Sequence, residues 1–359
     1  MIRRVLAIAA LAAMPRCTHL PAPSPADAQL AAESRKIAEG AAAAGAFSGV
    51  VLVAGPDGTL FEGAYGLADR SANRPNTLAT SFDIASVGKM FTGVAVAQLA
   101  ERGLVDFDQP VGRYLPPALA QTEIGRKVTL HQLLTHTAGV PDLPDPLFNA
   151  PPPSLSGYTP FFQTSKLEFE PGAKRAYSNA GFVLLGMVIE QVSGESYEQY
   201  LREHLFRPAG MTSVCFRRAA CASSSAVGYS RESETSAWQP NTSKIAAAAG
   251  PHGGALVTAR DLVKFFTALR GGKLLSAAMS ARATTPRAGA EAAYGFGTIA
   301  FERDRLVGHS GGNSGASADA YTYWNSGYSI IVLSNFDPPA SHDVARAIRK
   351  LLEPRFGAK

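Results

Sequence analysis

The sequence predicts an α+β member of the α/β class: a mostly antiparallel sheet flanked by helices, with a mainly helical region inserted between its two halves. Three observations carry this reading. Two strand-like runs near the start, "FSGVVLVAG" and "TLFEGAYGL", are joined by the turn Pro56-Asp57-Gly58. Four more, "YGFGTIAFE", "RLVGHSG", "SADAYTYW" and "YSIIVLSNF", lie near the end with short, turn-rich gaps that only antiparallel pairing tolerates. The periodic segments between these groups are spaced as helices. The expected layout is a signal peptide over 1–28, a sheet domain from 29–139 and 251–359, and a mainly helical insert over 140–250.

Taken in order, "MIRRVLAIAALAAM" has a basic start at Arg3 and Arg4 and an apolar run too short to span a bilayer. It reads as a signal peptide, with Ala26-Asp27-Ala28 as the cleavage site. Cys17 follows Met, Pro and Arg where a lipoprotein signal has small residues, so lipid anchoring is not expected. "AQLAAESRKIAEGAAAAG" reads as a helix ending at Gly45, ahead of the first two strands. The segment from Val87 to Ala100 is apolar on nearly every face, which marks a central, buried helix. "TLHQLLTH" is helical. "PDLPDPLFNAPPPSLSGYTP" is too rich in proline to be one regular element. Two helical patterns follow, "NAGFVLLGMVIEQVSG" and "SYEQYLREHLF". The polar stretch after Cys221 reads as an exposed loop. "TARDLVKFFTALRGG" and the terminal "SHDVARAIRKLL" are helices around the last strands, and no internal repeat appears.

A chain of 359 residues with 46% hydrophobic content buries a sizeable core, as one large domain or two coupled ones. Only 18% of residues are charged and like charges do not cluster, so nucleic acid is not an expected partner. Removing residues 1–28 takes away Arg3, Arg4, Arg16 and Asp27, lowering the net charge from +5 to an ordinary +3. No later segment is long and uncharged enough for a transmembrane helix, and the expected location is periplasmic or secreted. In an exported protein Cys215 and Cys221 form either a disulfide across "CFRRAAC" or two free thiols on a loop, and geometry must decide.

The chemistry turns on which serine attacks. Gly308-His309-Ser310-Gly311-Gly312 satisfies the G-x-S-x-G pattern of a nucleophile elbow. An elbow needs a helix after its serine, and "GGNSGASADAYTYW" does not propagate one. The acid and histidine left downstream would be Asp319 or Asp337 and then His342. A second candidate is Ser86-Val87-Gly88-Lys89, an S-x-x-K tetrad opening the buried helix. Residues i and i+3 share a helical face, so the Lys89 amine reaches the Ser86 hydroxyl, and a desolvated lysine can take its proton. The helix N-terminus adds free N–H groups where an oxyanion would form. A third element is Tyr177-Ser178-Asn179, whose first and last side chains point the same way in an extended segment. There Tyr177 can relay a proton and Asn179 can bind a substrate amide. Each motif alone also has a plain reading: a solvated lysine at a helix start, or a tyrosine packed before an N-capped helix. On a cleft-edge strand the glycines after His309 let substrate lie close, with His309 and Ser310 as polar contacts and the Gly312 N–H as second oxyanion donor.

"SVGK", "YSN" and "HSG" in this order resemble the serine β-lactamase and penicillin-binding-protein superfamily, nearest its class C-like branch. "VTLHQLLTHTAGV", "EFEPGAKRAYSNAGF" and "GGALVTARDLVKFF" fit the same pattern, and the resemblance covers roughly residues 30–355. It implies a β-lactamase/transpeptidase-like fold with Ser86 as the acylated nucleophile. Lys89 and Tyr177 would jointly be its base partners, and Asn179, His309, Ser310, Gly311 and Gly312 the binding elements. No cofactor or metal is implied. The substrate would be a small ester, amide, D-amino-acid peptide or β-lactam. One departure stands out: β-lactamases typically carry lysine where this chain has His309, which offers only a weaker, pH-dependent charge to a substrate carboxylate. Esterase or peptidase activity is therefore expected ahead of efficient β-lactam hydrolysis. Two alternatives remain at this stage, a penicillin-binding or sensor protein that turns over poorly and, more remotely, an α/β-hydrolase using Ser310. His131 and His136 are five residues apart and no H-E-x-x-H occurs, so a metal mechanism is not expected. His136 reads as a hydrogen-bonded loop anchor.

Overall fold

Side chains along "GVVLVAG" alternate between two apolar faces, and this decides how the chain layers. In the computed structural model, which describes residues 23–233, 236–241, 249–286 and 293–357, Val51 and Val53 enter one core while Val50 and Leu52 enter another. The strands are β1 (Gly49–Gly55), β2 (Gly58–Tyr65), β3 (Gly297–Ala300), β4 (Arg305–Asn313), β5 (Ala316–Tyr323) and β6 (Ser329–Ser334). They form one sheet in the order β2-β1-β6-β5-β4-β3, and every neighbouring pair is antiparallel. The helices that build the core or the site are α1 (Pro25–Ala43), α2 (Lys89–Glu101), α3 (Leu130–Leu134), α4 (Asn179–Ser193), α5 (Ala259–Arg270) and α6 (Ala340–Leu352).

α1 and α6 cover one face of the sheet, setting Leu30, Val344, Ile348 and Leu352 against Val51, Val53, Ile330 and Val332. The opposite face, with Val50, Leu52, Ile331 and Leu333, belongs to the larger core that contains α2, α4 and α5. α2 is buried from Lys89 to Ala97 on all sides, as its uniformly apolar sequence requires. α3 begins with a reciprocal capping box between Thr129 and Gln132, and α4 is capped by the Ser178 hydroxyl. α3 packs on α4, and the short helix at 117–120 packs on the one at 159–164. The boundary expected at residue 140 thus falls inside this helical body and not at its edge.

Two features named in the sequence take their place here. Ala26-Asp27-Ala28 lies within α1. Ser24 caps that helix, and Asp27 accepts from the Tyr328 hydroxyl at 2.7 Å and pairs with Arg355 at 3.0 Å. A cut after Ala28 would remove the cap and both contacts. Residues 1–22, with Cys17, lie outside the described residues. The choice left open for Cys215 and Cys221 resolves to a disulfide. No helix among the described residues is long and apolar enough to cross a membrane.

Ile348 is fully buried between α6 and the sheet. Ile348→Ala should lower stability by about 2–5 kcal/mol, read as a reduced urea midpoint with an unchanged slope.

Candidate active site

Ser86 sits in a tight turn, Ala85–Gly88, that runs directly into α2. The turn starts from Phe82–Asp83, a two-residue strand paired with Leu256–Val257. Asp83 Oδ1 accepts the Ala85 N–H at 2.7 Å, the Asx contact that initiates turns. Ala85 takes φ +43°, a conformation L-residues seldom hold. The first bond of the turn runs from the Val87 N–H to Ile84 O, so the Ser86 N–H is left for another acceptor. Two glycines press on this backbone. A Cβ on Gly311 would lie 2.8 Å from Ser86 N, and one on Gly253 would lie 2.2 Å from Ala85 O. Only glycine lets these two backbones approach so closely.

Lys89, the first residue of α2, is 0% exposed. Its Nζ lies 2.7 Å from Asn179 Oδ1, 2.7 Å from the His252 carbonyl and 3.2 Å from Ser86 Oγ. Desolvation pulls the amine from 10.5 down to about 7, partly opposed by the negative charge of Asp142. The neutral amine has two hydrogens and one lone pair. An amide oxygen and a peptide carbonyl can only accept, so both hydrogens go to Asn179 and His252. The lone pair is left for the Ser86 hydroxyl, which is the orientation of a general base.

Tyr177 donates its hydroxyl to Ser86 Oγ at 2.8 Å. The residue is 40% exposed, yet desolvation lifts the phenol to about 12, so it stays protonated at neutral pH. Where the sequence assigned the base to Lys89 and Tyr177 jointly, the geometry separates them: Lys89 is placed to accept the proton and Tyr177 to donate. His136 supports this arrangement from behind. Its ring stacks on Tyr177 at 4.3 Å, its Nδ1 accepts the Ser178 N–H at 3.2 Å and its carbonyl accepts the Ala176 N–H at 2.9 Å. Burial, and then the charge of Lys89, push its imidazole down to about 2, so it is a neutral anchor.

Asn179 is aligned by Asp142. Asp142 Oδ1 accepts from the N–H groups of Asn179 and Ala180 at 2.6 and 3.1 Å, and Oδ2 accepts from Asn179 Nδ2 at 3.1 Å. With its amide nitrogen on a carboxylate, Asn179 must turn its oxygen to Lys89. One amide hydrogen remains for substrate.

The second wall of the site is β4. The Trp324 N–H bonds to Arg305 O at 2.8 Å, so the odd-numbered residues of β4 pair with β5. The N–H and C=O groups of Ser310 and Gly312 therefore face the other edge, which β3 covers only as far as Gly308. Because Gly311 packs on Ser86, the Ser86 and Gly312 N–H groups border the same space, as an oxyanion requires. His309 bonds through Nδ1 to the Ser310 carbonyl. Burial and then Lys89 pull its imidazole to about 4. The weak charge expected of His309 is thus absent at neutral pH, because desolvation removes it.

Ser310 does not sit in an elbow. It is an exposed residue within a strand, it interacts with Tyr321, and β5 begins at Ala316 where a helix would be needed. Asp319 accepts from Ser341 Oγ at 2.7 Å and contacts His342 Nδ1 at 3.3 Å. Among the described residues no hydrogen bond joins His342 to Ser310. The α/β-hydrolase alternative is overturned by this topology. Among the described residues there is also no group of three His, Cys, Asp or Glu side chains placed to hold a metal, and His131 bonds to the Tyr294 hydroxyl at 3.1 Å.

Three contributors escaped the sequence reading. Asp142 lies in the Pro-rich stretch with no local pattern. His252 contributes a carbonyl, which any residue has. Asp83 did leave a signal, an aspartate two residues before the N–H it caps.

Comparison with known proteins follows the same lines. The Beta-lactamase family model matches residues 34–353. Penicillin-binding protein 4* of Bacillus subtilis (strain 168) is 30% identical over 335 residues, covering 83% of this chain and 70% of that one. A penicillin binding protein from Bacillus halodurans superposes with a TM-score of 0.78 at 32% identity, over 89% of this chain and 98% of the other. A D-amino acid amidase from Ochrobactrum anthropi SV3 shares the fold, with a TM-score of 0.75 at 23% identity over 90% of this chain and 98% of that one.

A site that works through neutral Lys89 should lose kcat/KM about tenfold per pH unit below roughly 7 and be flat just above it. Asp142→Asn removes the charge that raises the amine, so this acid limb should move to lower pH. Lys89→Arg should be inactive across the whole profile, because a guanidinium does not deprotonate. A pH series of kcat/KM for the three proteins checks all of this.

Proposed function

Because this chain belongs to the serine β-lactamase and penicillin-binding-protein superfamily, a family of serine hydrolases, we propose that it cleaves an ester, amide or lactam carbonyl through an acyl-enzyme on Ser86. The observation that carries the reading is the committed hydrogen bonding of Lys89, which leaves its lone pair for the Ser86 hydroxyl at 3.2 Å. Ser86 Oγ attacks the carbonyl carbon as its proton passes to Lys89 Nζ. The carbonyl oxygen becomes an oxyanion held by the N–H groups of Ser86 and Gly312. Collapse of the tetrahedral species expels the leaving group, which takes a proton from Tyr177, and Lys89 re-protonates the phenolate. Water then attacks the acyl carbon as its proton passes to the same pair, the bond to Ser86 Oγ breaks, and the pair returns that proton to Oγ as the acid leaves.

A neutral His309 offers no cation to a substrate carboxylate, which favours neutral esters, amides or peptides over efficient turnover of β-lactams. The penicillin-binding name of the Bacillus subtilis relative supports a second reading, in which β-lactams acylate Ser86 and leave slowly. The bonded Cys215–Cys221 pair supports a location in an oxidising compartment, outside the cytoplasm.

Intact-mass analysis after brief exposure to a fluorophosphonate, and separately to a penicillin, tests the proposal. The fluorophosphonate adduct, and a penicillin adduct where one forms, should map to Ser86, be absent in Ser86→Ala and persist in Ser310→Ala. A fluorophosphonate adduct retained in Ser86→Ala would sink the mechanism. A lasting penicillin adduct marks slow turnover, a transient one β-lactamase activity, and none an esterase or peptidase.

A further inference from the structure

The Cys215–Cys221 disulfide takes no part in the proton chain, yet it lies two contacts from the nucleophile. Arg218 is carried on the loop that it closes, in a short turn ending at Cys221. The Arg218 guanidinium turns inward and pairs with Asp83 Oδ2. The Asp83 side chain is only 7% exposed. Its other oxygen, Oδ1, accepts the Ala85 N–H at 2.7 Å, and Ala85 is the left-handed residue directly before Ser86.

Other contacts bind the same parts together. The Cys215 N–H and carbonyl both bond to Leu256 at 2.9 Å, and Leu256 belongs to the strand that pairs with Phe82–Asp83. The Ala85 carbonyl accepts the Gly254 N–H at 3.1 Å. One end of the loop is thus fixed to the strand beside Asp83 by backbone bonds. The end that carries Arg218 is held back to it by the disulfide and, beyond Cys221, by the bonds of Ser81 with the Ser224 carbonyl at 3.0 Å and the Ala226 N–H at 2.9 Å. Removing one partner of a buried ion pair leaves the other charge uncompensated and destabilises it where it stands. A residue held in the left-handed region likewise persists only while its surroundings over-determine it.

We propose that the disulfide holds Arg218 on Asp83, and that this pair, acting as positioning residues, keeps Ala85 in the conformation that presents Ser86 to Lys89 and Tyr177. Reduction therefore weakens the nucleophile without touching the catalytic groups. A dithiol supplies two electrons and two protons to the sulfur–sulfur bond, leaving two thiols on the protein and a disulfide on the reductant. The proposal rests on Ser86 being the nucleophile, and its test keeps the two separable.

The readout is the second-order rate of fluorophosphonate labelling at Ser86, followed by intact mass. The proteins are wild type, the double variant Cys215→Ser/Cys221→Ser, Arg218→Ala, Arg218→Lys, and the triple variant combining the first two changes. Far-UV circular dichroism at the assay temperature identifies those that remain folded. Labelling should slow about tenfold or more in the double variant and in Arg218→Ala. The triple variant should be no slower than either, since both changes break one chain of contacts. Dithiothreitol should slow wild type to the same level, leave Arg218→Ala unchanged, and spare part of the rate in Arg218→Lys. Wild type that labels at full rate with both thiols titratable overturns the proposal, and so do losses that multiply in the triple variant. If a serine variant does not fold, the dithiothreitol arm on wild type and the two Arg218 variants decides alone. Failure of oxidised wild type to label at Ser86 would instead overturn the functional reading.

Discussion

Stripping one amine of water is the constraint on which the rest of this structure depends. Lys89 is sealed from solvent, and lowering its pKa from 10.5 to about 7 corresponds to about 5 kcal/mol against the charged form. The penalty is fully present below pH 7, where the folded and unfolded chains both carry the proton. It fades between pH 7 and 10.5, where only the unfolded chain still does. A large apolar body has to absorb that cost. The helix that begins with Lys89 is accordingly buried on every side, and beside the Ser86 hydroxyl the amine meets two acceptors, Asn179 Oδ1 and the His252 carbonyl. The same desolvation keeps Tyr177 protonated and His136 and His309 neutral. In all four groups desolvation is the largest influence and favours the neutral form.

The second requirement is that backbones approach the nucleophile more closely than side chains allow. Gly311 brings the strand Arg305–Asn313 against Ser86, and Gly253 brings the neighbouring loop against Ala85. The space beside Ser86 is thereby bounded by a turn and a strand edge that both present N–H groups. The site belongs to neither the sheet nor the helical body. It is the seam where the C-terminal half of the sheet meets the first residues of the central helix.

Most of the architecture was legible in the sequence because its periodicities are strong. "GVVLVAG" and "YSIIVLSNF" are apolar on both faces because helices cover both sides of the sheet. The i, i+3 spacing of Ser86 and Lys89 and the order of the three motifs were enough to nominate the site. What was illegible is long-range or depends on burial. Asp142 acts across 37 residues of chain on the start of another helix. His252 acts through its main chain, and no residue code announces that. The charge state of His309 follows from desolvation, which a sequence does not display. The G-x-S-x-G match misleads for the converse reason: five residues satisfy a pattern whose meaning lies in the helix that should follow, and here a strand follows.

The pairing of Gly49–Gly55 with Ser329–Ser334 brings together parts of the chain that emerge at opposite ends of synthesis. The Ser334 hydroxyl bonds to the Ser48 carbonyl across 286 residues. The central strand pair cannot form until nearly all of the polypeptide is available, and closing so long a loop costs entropy before any contact repays it. The strand that completes the oxyanion wall is made late as well. A chain that ends before the strand Arg305–Asn313 therefore carries Ser86 and Lys89 without the second wall of the site.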